Sequence, residues 1–268
     1  MFALDPKNHL TDPDRKRSFN TVLFTEVAPR YDTITRLLSF GRDRIWKDRL
    51  IAMLPPLREP VCLDLACGTG DLSRRLRKRY PEGRVLGIDR TEAMLARARA
   101  CCAGANVEFL HGDMERIPLP DESVDFVTGG YALRNAGSLS GVLAEVRRVL
   151  RPGGDAAFLD FSTSDHAMVR RWQLRLLKCW GGCWGLLLHR NPNVYGYIAD
   201  SLALYPARRE LASCFRDAGF DVEHRRRFFG GMVEADRLRR NPDGNPVTQR
   251  PDGNGYRIRH GKGRRKSG

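Results

Sequence analysis

The sequence predicts an α/β fold: a mostly parallel, seven-stranded sheet with helices on both faces and a helical N-terminal extension. Three observations carry this prediction. Short apolar strands alternate with helix-length amphipathic segments from Val61 onward. A glycine turn, Cys67-Gly68-Thr69-Gly70, links the first strand to a helix start. Two β-patterned segments near the end are placed to close the sheet as an antiparallel edge.

The elements follow in order. Helical apolar spacing covers 18–27, 33–38 and 43–53, and Pro55-Pro56 ends that region. Strands are expected at 61–66, 85–88, 107–110, 124–128 and 156–161, with helices at 71–80, 91–101 and 139–150 between them. Thr91 is the expected cap of the second of these helices. A loop occupies 112–121, and Arg151-Pro152-Gly153-Gly154 reads as a turn. Helices at 197–205 and 208–218 then lead to the late strands, 222–229 and 232–235. The segment 172–189 interrupts the alternation with many Leu and Trp residues and glycines at 181, 182 and 185. It is too broken to span a bilayer and is compatible with a buried helix pair, a lid over the site, or a patch touching lipid.

Composition narrows the class. With 268 residues, 41% of them hydrophobic, the chain can bury a sizeable core. No run reaches the roughly 18 apolar residues a spanning helix needs, and the polar stretch 1–19 does not read as a signal peptide. Seven cysteines without regular spacing, including the adjacent Cys101 and Cys102, suit a reducing cytoplasm. The net charge of +14 is uneven, because ten Lys and Arg face only two Asp within 237–268. The expected organisation is a helical substrate-side cap over 1–56, a catalytic domain over 57–240 and a basic tail without fixed structure over 241–268. Such a tail can contact an anionic membrane surface or, nonspecifically, nucleic acid; no specific nucleic-acid partner is expected, and a homodimer is left open.

The glycine turn points to a nucleoside ligand. Gly68 and Gly70 let the backbone approach a ligand closely, and Asp64 lies in the strand before them. Asp71 opens the following helix, where a pyrophosphate would otherwise sit on the free N–H groups. A carboxylate there disfavours phosphate and favours a cationic ligand. Ser73 also takes the place of the third glycine of a dinucleotide fingerprint. Asp89 ends the second strand at the spacing used to bind ribose hydroxyls, with Arg90 beside it. A ribose, no phosphate and a cationic arm describe S-adenosyl-L-methionine.

With these elements in place, the chain resembles a Rossmann-like class I methyltransferase dependent on S-adenosylmethionine. More narrowly, Arg30-Tyr31-Asp32, Leu38-Ser39-Phe40-Gly41, Arg44 and Trp46-Lys47 resemble the N-terminal signature of the ubiquinone/menaquinone biosynthesis C-methyltransferases. Leu133-Arg134-Asn135, Asp200-Ser201 with Pro206, and Asp217-Ala218-Gly219-Phe220 extend the match. The resemblance implies cofactor contacts at Thr69, Asp89, Asp113 and Met114, and at a serine position after the fourth strand that is Gly130 here. Cys67 likewise replaces a glycine common in the family. It implies methyl transfer to a ring carbon of a prenylated hydroquinone, either a demethylmenaquinol or a 2-methoxy-6-polyprenyl-benzoquinol, without a metal.

Such chemistry needs in-line positioning and a group to take or polarise a phenolic proton. Arg134 and Asn135 lie just past the fourth strand, where open α/β sheets bind ligands, and are the candidates for phenolate stabilisation and orientation. Asp71 is the candidate base, with binding of the cofactor's amino group as its competing role. By analogy Tyr31 and Asp32 flank the substrate, and Tyr197 is a further substrate-side candidate. Two other readings stay open: a related methyltransferase acting on a natural product or sterol, and a noncatalytic protein that binds membrane or nucleic acid through the tail.

Overall fold

In the computed structural model, described for residues 10, 12–104, 106–191 and 193–242, the chain forms a seven-stranded sheet in the order β3-β2-β1-β4-β5-β7-β6. The strands are β1 (Val61–Leu65), β2 (Arg84–Asp89), β3 (Val107–His111), β4 (Val124–Gly130), β5 (Leu150–Phe161), β6 (Phe220–Phe228) and β7 (Val233–Arg240). The first five are mutually parallel, and β7 runs antiparallel to both β5 and β6, as the late strands predict. The chain order reverses between β1 and β4, so a crevice opens beyond their carboxyl ends.

Strand alternation builds two core layers. Leu63, Leu65, Leu86, Ile88, Val127 and Phe158 face one side of the sheet. There they pack on α6 (Leu139–Val149), α8 (Asn193–Ala203) and α9 (Arg208–Asp217). Cys62, Val85, Phe126, Ala157 and Leu159 face the other side, against α3 (Asp43–Ala52) and α4 (Asp71–Arg79). A third apolar cluster joins α1 (Pro13–Val27) and α2 (Tyr31–Leu38) to Met94 of α5 (Glu92–Cys101) and to Tyr195 and Tyr197 of α8. This cluster lays the N-terminal helices over the carboxyl end of the sheet.

Local chemistry sets the helix ends. The Asp12 side chain accepts from Arg15 N at 2.8 Å, and Pro13 occupies the first turn of α1, where its missing N–H costs nothing. The Ser138 hydroxyl accepts from Gly141 N and caps α6. Asp71 opens α4 and Arg77, Lys78 and Arg79 close it, which complements the helix dipole at both ends.

Three expectations are corrected. Residues 151–154 lie within β5, where a register shift between Val124 and Phe126 absorbs the extra residues as a bulge. Thr91 sits at the cap position of α5 without a side-chain cap bond; its backbone N–H is taken instead by Asp89 Oδ1 at 2.8 Å. The glycine-rich segment is a single helix, α7 (Ala167–His189), antiparallel neighbour to α8. A Cβ on Gly181 would stand 2.5 Å from the Tyr195 carbonyl oxygen, so glycine here lets the two helices close against each other rather than breaking one of them. Among the described residues no helix is long and apolar enough to cross a membrane. The basic tail lies outside the described residues beyond 242.

Candidate active site

Two adjoining spaces lie over the carboxyl end of the sheet. The first is a cleft beside the glycine turn. Gly70 has φ +78°, and a Cβ there would meet Cys102 Sγ and Phe109 Cζ at 3.0 Å, so both the backbone angle and the packing require glycine. Asp89 ties this turn to β2: its Oδ2 accepts from Gly68 N and its Oδ1 from Thr91 N, both at 2.8 Å. Burial pushes the Asp89 pKa up while these N–H donors pull it down. Gly68, Asp89, Arg90, Asp113, Met114 and Gly130 all line the cleft, so the structure brings these predicted residues together. Arg90 reaches Asp113 at 3.2 Å, and Asp113 Oδ1 accepts from Glu115 N.

Four of the candidate residues, Asp64, Thr69, Gly70 and Asp71, do not line this cleft. Asp64 is buried beneath the turn, accepting from Ser73 Oγ at 2.6 Å and Thr128 Oγ1 at 3.3 Å. Its burial, only partly offset by these hydroxyls, raises its pKa to about 7. The Thr69 hydroxyl donates to Asp32 Oδ1 at 2.6 Å, which pins α2 to the turn, and neither side chain lines the cleft. Gly70 packs into the protein rather than toward the cleft. Asp71 faces Lys47 at 3.1 Å, Arg74 at 2.9 Å and Arg75 at 3.4 Å. Burial opposes its ionisation, but Lys47 and Arg75 prevail and hold its pKa near about 2. That geometry does not support Asp71 as a general base, nor its charge as the feature that repels phosphate. The acidic groups on the cleft are Asp89, Asp113 and Glu115.

The second space is an apolar cavity of about 230 Å³ between the N-terminal helices, α7, α8 and the ends of β4, β5 and β7. Phe24, Tyr31, Tyr131 and Asn135 line both spaces and form their junction. Arg134 is the one charged side chain lining the cavity among the described residues. It is buried, with its guanidinium carbon 5.7 Å from the ring centroids of both Phe161 and Tyr197. Its Nε lies 3.5 Å from Asp160 Oδ1, its backbone N donates to Asp160 Oδ2 at 3.0 Å, and Nη1 donates to Ser201 Oγ. Burial drives the Asp160 pKa up, against the pull of Arg134. Lys16 donates to the Arg134 carbonyl at 2.9 Å; burial first, and Arg134 next, lower its pKa to about 8.

Asn135 is fixed by its neighbours. Its Nδ2 donates to Tyr131 O at 2.9 Å, and its carbonyl accepts from Asn20 Nδ2 at 2.8 Å. The Tyr197 hydroxyl lies 2.7 Å from Asn135 Oδ1 and 2.5 Å from Asn20 Oδ1. One phenolic proton therefore serves two amide oxygens, and the junction keeps acceptor capacity in hand. The predicted substrate-side pair divides: Tyr31 lines the junction, whereas Asp32 braces the turn.

Several residues at the site were not anticipated. Tyr131, with φ +59°, follows Gly130 at the carboxyl end of β4 and donates to Asp43 Oδ1 at 2.8 Å. Asp43 pairs with Lys47 at 2.8 Å, so a chain of bonds runs from the cavity through Lys47 to Asp71 at the start of α4. Burial works against the Lys47 charge, and Asp43 and Asp71 more than offset it, raising its pKa. The position of Tyr131 just past a strand end, and Asp160 as an acid inside the apolar run 156–161, were available signals. Asn20 and Phe24 carried none.

Comparison with known proteins follows this geometry. The model of the ubiE/COQ5 methyltransferase family matches residues 13–237. The chain is 37% identical over 214 residues to a demethylmenaquinone methyltransferase of Thermus thermophilus, covering 78% of this chain and 96% of that protein. It is 34% identical over 226 residues to a ubiquinone/menaquinone biosynthesis C-methyltransferase of Dinoroseobacter shibae, covering 81% and 89%. Among solved structures, a SAM-dependent methyltransferase from Thermotoga maritima superposes with a TM-score of 0.58 at 18% identity, covering 82% of this chain and 99% of that one. Another, from Aquifex aeolicus, gives 0.55 at 21% identity, covering 80% and 97%; at this distance both speak to the fold.

Proposed function

This chain belongs to the ubiE/COQ5 methyltransferase family, and from that premise we propose that it methylates a ring carbon of a prenylated hydroquinone with S-adenosylmethionine as donor. The observation that carries the reading is Arg134, the one charged side chain among the described residues on the wall of a mostly apolar cavity that meets the cleft at Tyr31, Tyr131 and Asn135.

The cleft suits the donor. Gly68 and Gly130 present backbone without side chains, and both Asp89 oxygens keep lone pairs beyond their backbone N–H bonds for ribose hydroxyls. Asp113 and Met114 offer a polar and an apolar contact at the far end, and Asp89, Asp113 and Glu115 suit a ligand bearing positive charge. When bound, S-adenosylmethionine supplies an electrophilic methyl group on a sulfonium.

The remaining work falls to this chain's side chains. A hydroquinone ring becomes a carbon nucleophile as its hydroxyl gives up a proton to solvent. The ring carbon takes the methyl group as the donor's carbon–sulfur bond breaks, and then loses its own proton to restore the ring. Arg134 stabilises the phenolate oxygen, and in an apolar, water-poor cavity that attraction is far stronger than in water. Asn135, held by Tyr131 O and Tyr197, accepts from the ring hydroxyl and orients it. Tyr31 and Phe24 from the N-terminal helices cover the junction and set the ring against the cleft. The prenyl tail runs out past Leu176, Trp180, Phe40 and Phe229.

The test is purified protein with methyl-labelled S-adenosylmethionine and a prenylated naphthoquinol or benzoquinol, each also offered oxidised. Label is expected on a ring carbon of a reduced form and not on the oxidised quinones. No transfer to either quinol would overturn the reading.

A further inference from the structure

We propose that the outer face of α7 lies flat on an anionic lipid bilayer, so that the apolar cavity opens at the level of the acyl chains. Met168, Trp172, Leu176, Leu186 and Leu187 are 72%, 65%, 60%, 59% and 72% exposed. At about 100° per residue all five fall within an arc of about 100° on a 23-residue helix, with the exposed Cys179 and Cys183 between Leu176 and Leu186, a stripe about 30 Å long by the helical rise. Large apolar side chains gathered on one face of a helix are not the scattered exposed apolar residues that any surface carries.

The opposite side of the same helix is apolar too, and there Leu177, Trp180 and Gly181 line the cavity. The two faces meet at the cavity rim. Leu176 is both exposed and cavity-lining, and Phe40, 59% exposed, stacks on Trp180 at 4.9 Å. Phe229, 42% exposed, lies 5.9 Å from Phe40 across that rim.

Charge selects the occupant. Arg171 and Arg175 are exposed on the flank of the stripe, and the Arg175 guanidinium sits 5.7 Å from the Trp172 ring centroid. The helix contains no acidic residue, so a second copy of this face offers nothing to meet those cations, whereas anionic headgroups do. Aromatic and aliphatic residues on one side with arginines at the border describe a helix lying in a membrane interface. The proposal rests on the prenylated-substrate reading only for its purpose, since a tail dissolved in lipid enters such a mouth without crossing water.

Full-length protein is sedimented with vesicles of phosphatidylcholine alone and with an equal part of phosphatidylglycerol. The variant Met168→Ser/Trp172→Ser/Leu187→Ser avoids every cavity-lining side chain. It is expected to lose about tenfold or more in partition to the anionic vesicles. It should keep its circular dichroism and its methyl transfer to a short-tailed, water-soluble quinol, while losing transfer to a long-tailed quinol held in vesicles. A second variant, Arg171→Glu/Arg175→Glu, is expected to lose anionic-vesicle binding with the apolar stripe intact. Binding by both variants equal to that of the parent overturns the proposal. So does a parent dimer that the triple variant splits, with no vesicle binding, because the stripe is then an interface between copies. No transfer to the short-tailed quinol by any of the proteins overturns the substrate reading alone, and vesicle partition still decides the docking face.

Discussion

The cleft beside the glycine turn and the apolar cavity next to it share four side chains but are held together by different forces. The cleft is a backbone structure: Asp89 organises it by collecting two N–H groups, and glycines keep it open. The cavity is a packing structure, walled by side chains from seven helices and strands and the turns between them, with one buried ion pair, Arg134 with Asp160, at its polar end. A site of the first kind tolerates repacking and fails when a hydrogen bond is lost. A site of the second kind tolerates small polar changes and fails when a charge is left alone.

The largest expected effect breaks the cavity. Arg134→Met leaves Asp160 buried without its partner, and unfolding in denaturant should show a loss of about 3–5 kcal/mol. Adding Asp160→Leu should recover at least half of the lost stability while leaving methyl transfer absent, which separates the structural from the chemical role of Arg134. If the double variant is as unstable as the single, the ion pair is not the cavity's weak point.

Asp64 tests the floor beneath the cleft. Its pKa of about 7 stands above the ordinary value of 3.8, so between these limits the folded protein holds a proton that the unfolded chain has released. Its contribution is therefore fully present below about pH 4 and is lost as pH rises towards 7. Asp64→Asn should flatten that slope, by about 4 kcal/mol between pH 4 and pH 8, as read from denaturation midpoints of variant and parent. Parallel curves for the two proteins would place the carboxyl in a wetter setting.

Asp89→Asn sharpens the contrast. An amide can accept one of the two backbone N–H bonds and not both, so calorimetry should show adenosylhomocysteine binding weakened about tenfold to a hundredfold. The KM for quinol should change little. A loss shared equally between the two ligands would mean that the cleft and cavity form one cooperative unit.

The smallest effect is at Gly130. A Cβ there would stand 3.0 Å from Leu72 Cδ1, the end of a flexible side chain that can give way. Gly130→Ser should therefore fold normally and tighten cofactor binding by about 1 kcal/mol or less, measured by the same titration.

The contrast also explains what could be read from the chain. The strand, turn, helix and acid of the cleft fall within a short βα unit, so the chemistry of Gly68 and Asp89 is local and legible, as is the Leu133-Arg134-Asn135 turn after β4. For Asp71 the sequence shows a carboxylate at a helix start with Arg74 and Arg75 one turn on, but not Lys47, which folds against it from α3. For Asp64, adjacency to the turn does not show the burial and the two hydroxyl bonds, to Ser73 and Thr128, that the fold gives it. The cavity was illegible for a deeper reason. Ile34, Phe161 and Val233 line it, yet each reads as ordinary core until distant segments are brought together. The glycines of α7 looked like breaks, because a helix crossing is not visible in one segment's own spacing.

That crossing has a consequence for evolution. The gauge between α7 and α8 is fixed by a missing methyl group at position 181, and both helices furnish walls of the cavity. A single codon change there would shift two walls at once while leaving the glycine turn in place. Position 181 is thus a natural dial for the bulk of acceptor the protein admits, and tail-length preference across a set of 181 variants is the measurement that reads it.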